Sequence, residues 1–343
     1  MGVVSALKLR HFRCFDAHEV QFEPGLNFIV GPNAQGKTSL LEGVCILLRL
    51  QSPRVSRLPY VVQHGRRGFA VDGYAGNRHL QFYFSRERKK LMLDGVEQRD
   101  ATEYLAVGRV VYFSNSDIEL VRGGAEGRRR FLDFLASQRD ATYRNALRSY
   151  ERALRSRNLL LKSPAPRWRE IAAFDEPLVA SGERIRTARE RLVEELQPAA
   201  AAAHQAISGG RELLALRYRP GCGPDFCGEL KAARSEDARL RQSTRGPHRD
   251  DLELDLDGRG AEFGSEGQQR TLALALRLGG ANLLAAHFED PPVLLLDDVF
   301  GELDPGRRNA LLGALPGGAQ KLITTTHLGW LEAESGGRTV RMG

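Results

Sequence analysis

No apolar run in this 343-residue chain approaches the ~20 residues that a membrane-spanning helix requires. Met1-Gly-Val-Val-Ser likewise lacks the pattern of a secretory leader. Both absences point away from membrane or export roles and make the cytoplasm the expected compartment. Cysteine is scarce: Cys14, Cys45, Cys222 and Cys227 are scattered, and none stands at zinc-ligand spacing from a histidine. The Cys222/Cys227 pair reads as incidental rather than as a metal site or disulfide. A sustained heptad repeat is also missing, which excludes a long coiled-coil arm.

What is present is charge of one sign in one place. The formal charge is +7 and the pI is near 9.4. Between Arg122 and Arg249 stand 26 Lys and Arg against 16 Asp and Glu, while the remainder holds 24 against 27. The middle third is therefore at +10 and the rest at −3. A uniformly arginine-rich surface would spread its excess evenly, so the asymmetry predicts a polyanion, nucleic acid first, meeting the middle segment. Hydrophobic and charged fractions of 42% and 27% are ordinary for a globular protein, and the length suffices for two lobes.

The sharpest local signal is Gly31-Pro32-Asn33-Ala34-Gln35-Gly36-Lys37-Thr38, which fits G-x-x-x-x-G-K-[ST]. The run Leu26 to Val30 before it predicts a strand, and Ser39 to Leu48 after it predicts an apolar helix. Such a strand, loop and helix aim several backbone N–H groups, and the positive end of the helix dipole, at one spot. Gly31 and Gly36 permit angles and approaches that a Cβ would block. Lys37 reaches the β- and γ-phosphates, and the Thr38 hydroxyl completes the shell of a bridging Mg²⁺. A chance glycine turn beside a lysine would not carry both flanks. The pattern predicts nucleoside triphosphate binding and leaves the reaction open.

Residues 6–12, 19–22, 68–74, 79–84, 90–93 and 109–113 also read as strands, with Asp94-Gly95 as a hairpin turn. They predict an antiparallel layer laid against a parallel phosphate-loop sheet. Character changes near Gly123-Gly124. Phe131, Phe134, Leu135, Tyr143, Leu147, Tyr150 and Leu154 recur at helical spacing over 128–161, and a second helical run covers 171–207. Residues 213–218 predict a strand, 229–242 an arginine-rich helix, 251–256 a half-buried strand and 265–286 a long helix. Val293 to Leu296 and Lys321 to Thr325 predict buried strands. The expected organisation is α/β, with the nucleotide-binding half split into 1–122 and 246–343 and a basic, mainly helical lobe, 123–245, inserted.

Two further motifs carry chemistry. Asp297-Asp298 ends an apolar strand that a phosphate-loop sheet sets beside its loop. The first carboxylate suits a Mg²⁺ held through water, the second the orientation or deprotonation of an attacking water. An acidic strand-end turn is the bland alternative, weakened by the presence of Lys37 and Thr38. Ser265-Glu266-Gly267-Gln268-Gln269-Arg270 opens the preceding helix. Ser265 is first a helix cap. Its hydroxyl and the free N–H groups there also form a second phosphate-binding surface, suited to a γ-phosphate held by a partner. The triplet Arg128-Arg129-Arg130 is the leading DNA-contact candidate, beside the alternative of a solvated helix start.

The order of these motifs, followed by Gly301-Glu-Leu-Asp304 and Thr326-His327, resembles the ABC-type ATPase head of DNA-repair and chromosome-structure ATPases. Within that group the chain is most similar to the RecF family of recombination mediators. Leu7-Lys-Leu-Arg-His-Phe-Arg13, Arg128-Arg-Arg-Phe-Leu-Asp133 and Gly246-Pro-His-Arg-Asp-Asp251 extend the likeness essentially end to end. The resemblance implies ATP and Mg²⁺ as ligands, held by residues 31–38, with Thr38 and Asp297 at the metal. It implies Asp298 as catalytic carboxylate and His327 as γ-phosphate sensor. Ser265, Gly267 and Gln268 would contact ATP held by a second copy, and Asp304 would communicate across the dimer. It further implies RecA loading at gapped DNA, with RecR as partner and RecO and RecA downstream. Three positions depart from the pattern. Asp298 stands where ABC ATPases usually have Glu, suggesting slow turnover, and Glu266 replaces a glycine of the transporter version. The metal-sensing glutamine is not evident, Gln63 and Asn115 being its candidates.

The reading reached is an ATP-dependent, dimerising ATPase that binds duplex DNA and gapped or single-stranded junctions. One alternative is the energising subunit of a membrane ABC transporter, which should carry a short helical insert without the +10 charge. Another is a small-molecule phosphoryl transferase, in which Ser265-x-Gly267-Gln268 would have no task.

Overall fold

Alternation along Val4–Phe12 (β1) turns Leu7 and Leu9 to the core and Lys8 and Arg10 to solvent, the period-2 signature of a half-buried strand. The same alternation runs through Gly68–Ala75 (β4) and Arg78–Ser85 (β5), while Phe15–Gln21 (β2), Lys89–Leu93 (β6) and Val96–Glu97 (β7) are more exposed. In the computed structural model, which describes residues 3–210, 212–329 and 336–342, these form a six-stranded antiparallel sheet ordered β2-β1-β4-β5-β6-β7. Asp94 and Gly95 both take positive φ, 50° and 81°, as a two-residue hairpin turn requires.

In the second sheet, Leu26–Val30 (β3), Val110–Ser114 (β8), Val293–Asp297 (β12), Lys321–Thr325 (β13) and Arg338–Arg341 (β14) pair in parallel in the order β14-β3-β13-β12-β8. Mainly apolar runs build β3, β8, β12 and β13, which are largely buried, while the edge strand β14 is polar and partly exposed. Lys37–Arg49 (α1) packs against β1 and β4 of the first sheet and β8, β12 and β13 of the second. Every residue of α1 but Thr38 is buried, which explains its lack of a polar face. Its one acid, Glu42, is fully buried and answered by Arg13 at 2.8 and 2.7 Å and by Ser52 at 2.5 Å. Thr102–Ala106 (α2) precedes β8, and Pro305–Ala314 (α11) follows β12. These elements belong to one compact unit, Met1–Asp117 with Ala203–Gly210 and Leu274–Gly343.

The other unit comprises Ile118–Ala202 and Arg211–Ala273. Its helices are Glu119–Arg122 (α3), Ala125–Arg139 (α4), Ala141–Leu161 (α5), Trp168–Ala172 (α6), most of Asp175–Ser208 (α7), Phe226–Ala232 (α8), Arg234–Leu240 (α9) and the start of Glu266–His287 (α10). The single helix expected over 128–161 is two. Asp140 leaves helical geometry with φ −136°, and its carboxylate accepts from Thr142 N at 2.7 Å, capping α5. The helix expected over 229–242 likewise divides into α8 and α9. This unit also holds a three-stranded sheet. Leu214–Arg219 (β9) pairs with Asp251–Leu256 (β10) residue for residue, and β10 with Arg259–Gly260 (β11). By its contacts this unit runs on to Ala273.

Arginine–aspartate clusters fill its interior. Arg189 donates to Asp250 at 2.6 Å, Asp133 at 2.7 Å and the Pro247 carbonyl at 2.7 Å. Arg157 donates to Asp237 at 2.8 Å and Asp175 at 3.0 Å. Several arginines of the basic segment are thus internal ties rather than surface charge.

Candidate nucleotide-binding site

β3, β13, β12 and β8 run the same way. The phosphate loop after β3, Thr326-His327 after β13, Asp298 after β12 and Asn115 after β8 therefore leave one carboxyl edge, where open α/β sheets bind ligands. The tandem-acid strand, expected beside the loop, is separated from β3 by β13. Side chains bridge that gap. Asp297 Oδ1 accepts from Thr38 Oγ1 at 2.9 Å and from Thr324 Oγ1 at 2.8 Å, and its Oδ2 accepts from Tyr112 OH at 2.7 Å. Asp297 thus joins α1, β13 and β8 at one carboxylate.

Pro32 to Gln35 are exposed, with Ala34 at φ 67° and Gly36 at φ 91°. α1 opens with no side-chain cap and no acid in its first turn, which leaves its leading N–H groups open to an anion. The two glycines are required by neighbours. A Cβ on Gly31 would lie 2.5 Å from the Met342 carbonyl oxygen, and one on Gly36 would lie 2.5 Å from Phe15 Cζ. Lys37 is buried, and its Nζ donates to the carbonyls of Gly31 at 2.5 Å and Pro32 at 2.8 Å. Burial pulls its pKa down, while the charges of Asp298 and Asp297 act the other way.

Asp298 stands in the left-handed region at φ 54°, its N–H donating to Thr324 Oγ1 at 2.9 Å. That conformation is costly for a non-glycine residue and turns the side chain out at the rim of the site. Partial desolvation, then the Asp297 charge, raises its pKa, with Lys37 opposing. A raised carboxylate beside a phosphate loop is suited to accept a proton. Thr38 and Asp297 offer hard oxygen donors of the kind Mg²⁺ takes alongside its waters, so these residues fit that ion.

Of the two metal-sensing candidates, Asn115 lies at this edge. Its Nδ2 donates to the Asp298 carbonyl at 3.3 Å and to Glu302 at 3.1 Å. Gln63 instead pairs through its backbone N–H with the His11 carbonyl at 2.9 Å. His327 is exposed, and its carbonyl accepts from Thr325 Oγ1 at 2.9 Å. Asp304 caps α11 by accepting from Arg307 N at 2.9 Å.

Ser265, Gly267 and Gln268 belong to the other unit. Ser265 Oγ accepts from Gln268 N at 3.3 Å and Gln268 Oε1 accepts from Ser265 N at 2.6 Å, a reciprocal capping box. Ser265 and the adjoining Phe263 are exposed. In the arginine triplet, Arg128 grips Asp251 at 2.7 and 2.9 Å and the Gly123 carbonyl at 2.7 Å, and Arg129 donates to the Asp250 carbonyl at 2.7 Å. Only Arg130 of the three is exposed, because the first two hold α4 to the Asp250-Asp251 end of β10.

Tyr112, Thr324 and Glu302 are the site neighbours that sequence reasoning missed. Tyr112 and Thr324 carry no motif, and only the strand order β13-β12-β8 reveals that they flank Asp297.

A family model described as an AAA domain matches residues 6–156. A protein of a Synechococcus species named DNA replication and repair protein RecF is 41% identical, with 96% of this chain and 93% of that protein covered. Its namesake from Symbiobacterium thermophilum is 40% identical, with 95% and 92% covered. A solved structure of the recombination mediator protein RecF with ATP in the RecFOR pathway superposes with a TM-score of 0.86 at 30% identity, covering 96% of this chain and 93% of that one. An Smc head bound to the C-terminal winged-helix domain of ScpA shares the fold, with a TM-score of 0.54 at 15% identity over 94% of this chain and 89% of that one. No helix among the described residues is long and apolar enough to cross a membrane. Identity at this level over almost the whole length shows that the chain belongs to the RecF family of DNA replication and repair ATPases.

Proposed function

We propose that this RecF-family chain is a cytoplasmic, ATP-driven dimer that grips duplex and gapped DNA and assists RecA loading there. The observation carrying this reading is the hydrogen bond from Thr38 to Asp297, which joins the phosphate loop to the tandem acids across an intervening strand. ATP places its phosphates against the open N–H groups of α1 and takes Lys37 Nζ from the Gly31 and Pro32 carbonyls. Thr38 and Asp297 would hold Mg²⁺, which supplies charge neutralisation at the phosphates when bound. Asp298 takes the proton of the attacking water, Asn115 stands as the metal-sensing residue, and His327 reads the γ-phosphate.

Ser265, Gly267 and Gln268 complete the phosphate cage of a second copy, with Asp304 at the dimer contact. The capping box supports this role because it fixes the Ser265 hydroxyl at an exposed helix start. Hydrolysis is slow and acts as a timer that opens the dimer, consistent with the short arm of Asp298. RecR is the partner that family likeness supplies, with RecO and RecA following.

Binding of a gapped duplex, followed by fluorescence anisotropy with and without ATP, tests this function. Wild type should bind more tightly with ATP, and Lys37→Arg should lose that gain. DNA affinity indifferent to ATP in both proteins would overturn the reading.

A further inference from the structure

With Arg128 and Arg129 engaged internally, the unpaired positive charge of the second unit lies elsewhere. α5 carries Arg144, Arg148, Arg152 and Arg155. At 100° per residue these four fall within an arc of about 80°, rising about 16 Å along the axis. Tyr143, Ala146, Tyr150, Ala153, Arg157 and Leu161 occupy the opposite, buried side of the same helix. Arg148, Arg152 and Arg155 therefore face away from the packing that holds α5 in place.

Arg148, Arg152 and Arg155 are exposed. The one acid on this face, Glu151, lies 3.7 Å from Arg155. Arg148 and Arg152 have no ion pair among the described residues. Arg144 is more crowded: its Nη1 is buried without a hydrogen-bond partner among the described residues, and burial, then the neighbouring Arg148 charge, pushes its pKa down to about 10. Like charges at i,i+4 destabilise a helix by a few tenths of a kcal/mol per pair, and Arg144, Arg148 and Arg152 make two such pairs. Nothing in the packing of α5 requires that repulsion.

We propose that the outer face of α5 is a docking surface for the phosphate backbone of duplex DNA, formed by Arg148, Arg152 and Arg155. A stripe on a straight helix presents charges at intervals of about 4.5–6 Å along the axis, facing a partner of densely spaced negative charge. Duplex is favoured over single strand because the stripe itself carries no aromatic side chain on which bases could stack. Such a surface reads charge and not sequence. This assignment rests on the DNA-binding reading above and names where in the chain that binding occurs.

The test is Arg148→Gln/Arg152→Gln/Arg155→Gln in the full-length chain with ATP, against blunt duplex across a salt series. Removing three phosphate-binding charges should flatten the slope of log affinity against log salt by about 2–3 and weaken binding about 10–100-fold near physiological salt. Arg148→Lys/Arg152→Lys/Arg155→Lys should retain most of the affinity. All three substituted residues are exposed, so an unchanged unfolding midpoint is expected. Wild-type affinity and slope in the Gln variant would overturn the α5 assignment while leaving DNA binding intact. Wild type failing to bind duplex at all would overturn the functional reading itself. Weaker binding of the Gln variant to an acidic protein surface, with duplex affinity untouched, would assign the stripe to a protein partner instead.

Discussion

Lys37 in the first unit and Arg189 in the second are both almost fully buried cations, with exposures of 7% and 3%. Their surroundings differ in kind. Arg189 meets two carboxylates, and although burial works against its charge, Asp133, Tyr143 and Asp250 hold its pKa above the ordinary value. Lys37 Nζ hydrogen-bonds two backbone carbonyls and no carboxylate among the described residues, and burial outweighs the charges of Asp298 and Asp297, pulling its pKa down. One cation is saturated and holds the fold together. The other is desolvated and incompletely answered, the state in which a phosphate has most to offer. Burial of charge alone does not mark a functional site; burial with an unfilled complement does.

Substitutions can break this contrast, and the largest effect belongs to the saturated cluster. Asp250 also accepts from Tyr218 and from Gly221 N at 2.7 Å, so Asp250→Ala leaves Arg189 with Asp133 alone of its two carboxylates and two further part-buried donors without their acceptor, and should cost about 3–5 kcal/mol in chemical denaturation. An unchanged midpoint would show that the cluster is dispensable. His248, beside it, bonds Tyr150 at 2.6 Å and the Ser243 carbonyl at 2.9 Å. Burial lowers its pKa from 6.5 to about 4, so the folded state favours the neutral ring. The stability this confers is complete above pH 6.5 and is lost as pH falls toward 4, a change of about 3 kcal/mol that His248→Gln should remove.

Lys37→Ala should behave in the opposite way. The unfolding midpoint should hold, whereas ATP affinity should fall about 10–100-fold, the worth of a charge-assisted hydrogen bond. Isothermal titration and a melting curve on one preparation separate the two outcomes. Tyr112→Phe is the mildest change. It removes one of the three hydrogen bonds to Asp297 and should cost about 0.5–1.5 kcal/mol of stability, leaving ATP affinity nearly intact.

The sequence declared those parts of the fold whose cause is local. The phosphate loop is readable because Gly31, Gly36, Lys37 and Thr38 are consecutive or nearly so, and the tandem acids because an apolar strand leads to them. The hairpin at Asp94-Gly95 and the Ser265 capping box are local too. What stayed hidden depends on partners distant in sequence. Nothing near Tyr112 reveals that it meets Asp297, and nothing near Arg128 reveals that Asp251 will engage it. The helix break at Asp140 lay between: its capping carboxylate is in plain view, but the apolar spacing ran straight through it. Charge counting found the basic segment yet could not separate Arg157 and Arg189, consumed inside, from Arg148 and Arg152 outside.

Sedimentation velocity of Asp298→Asn with saturating ATP and Mg²⁺ tests the shared-cage claim most directly. Without the base that ends the bound state, the chain should accumulate as a dimer, and adding Ser265→Arg to the same chain should return it to monomer. A protein that stays monomeric with nucleotide, metal and duplex all present would contradict the proposal that two copies complete each other's site.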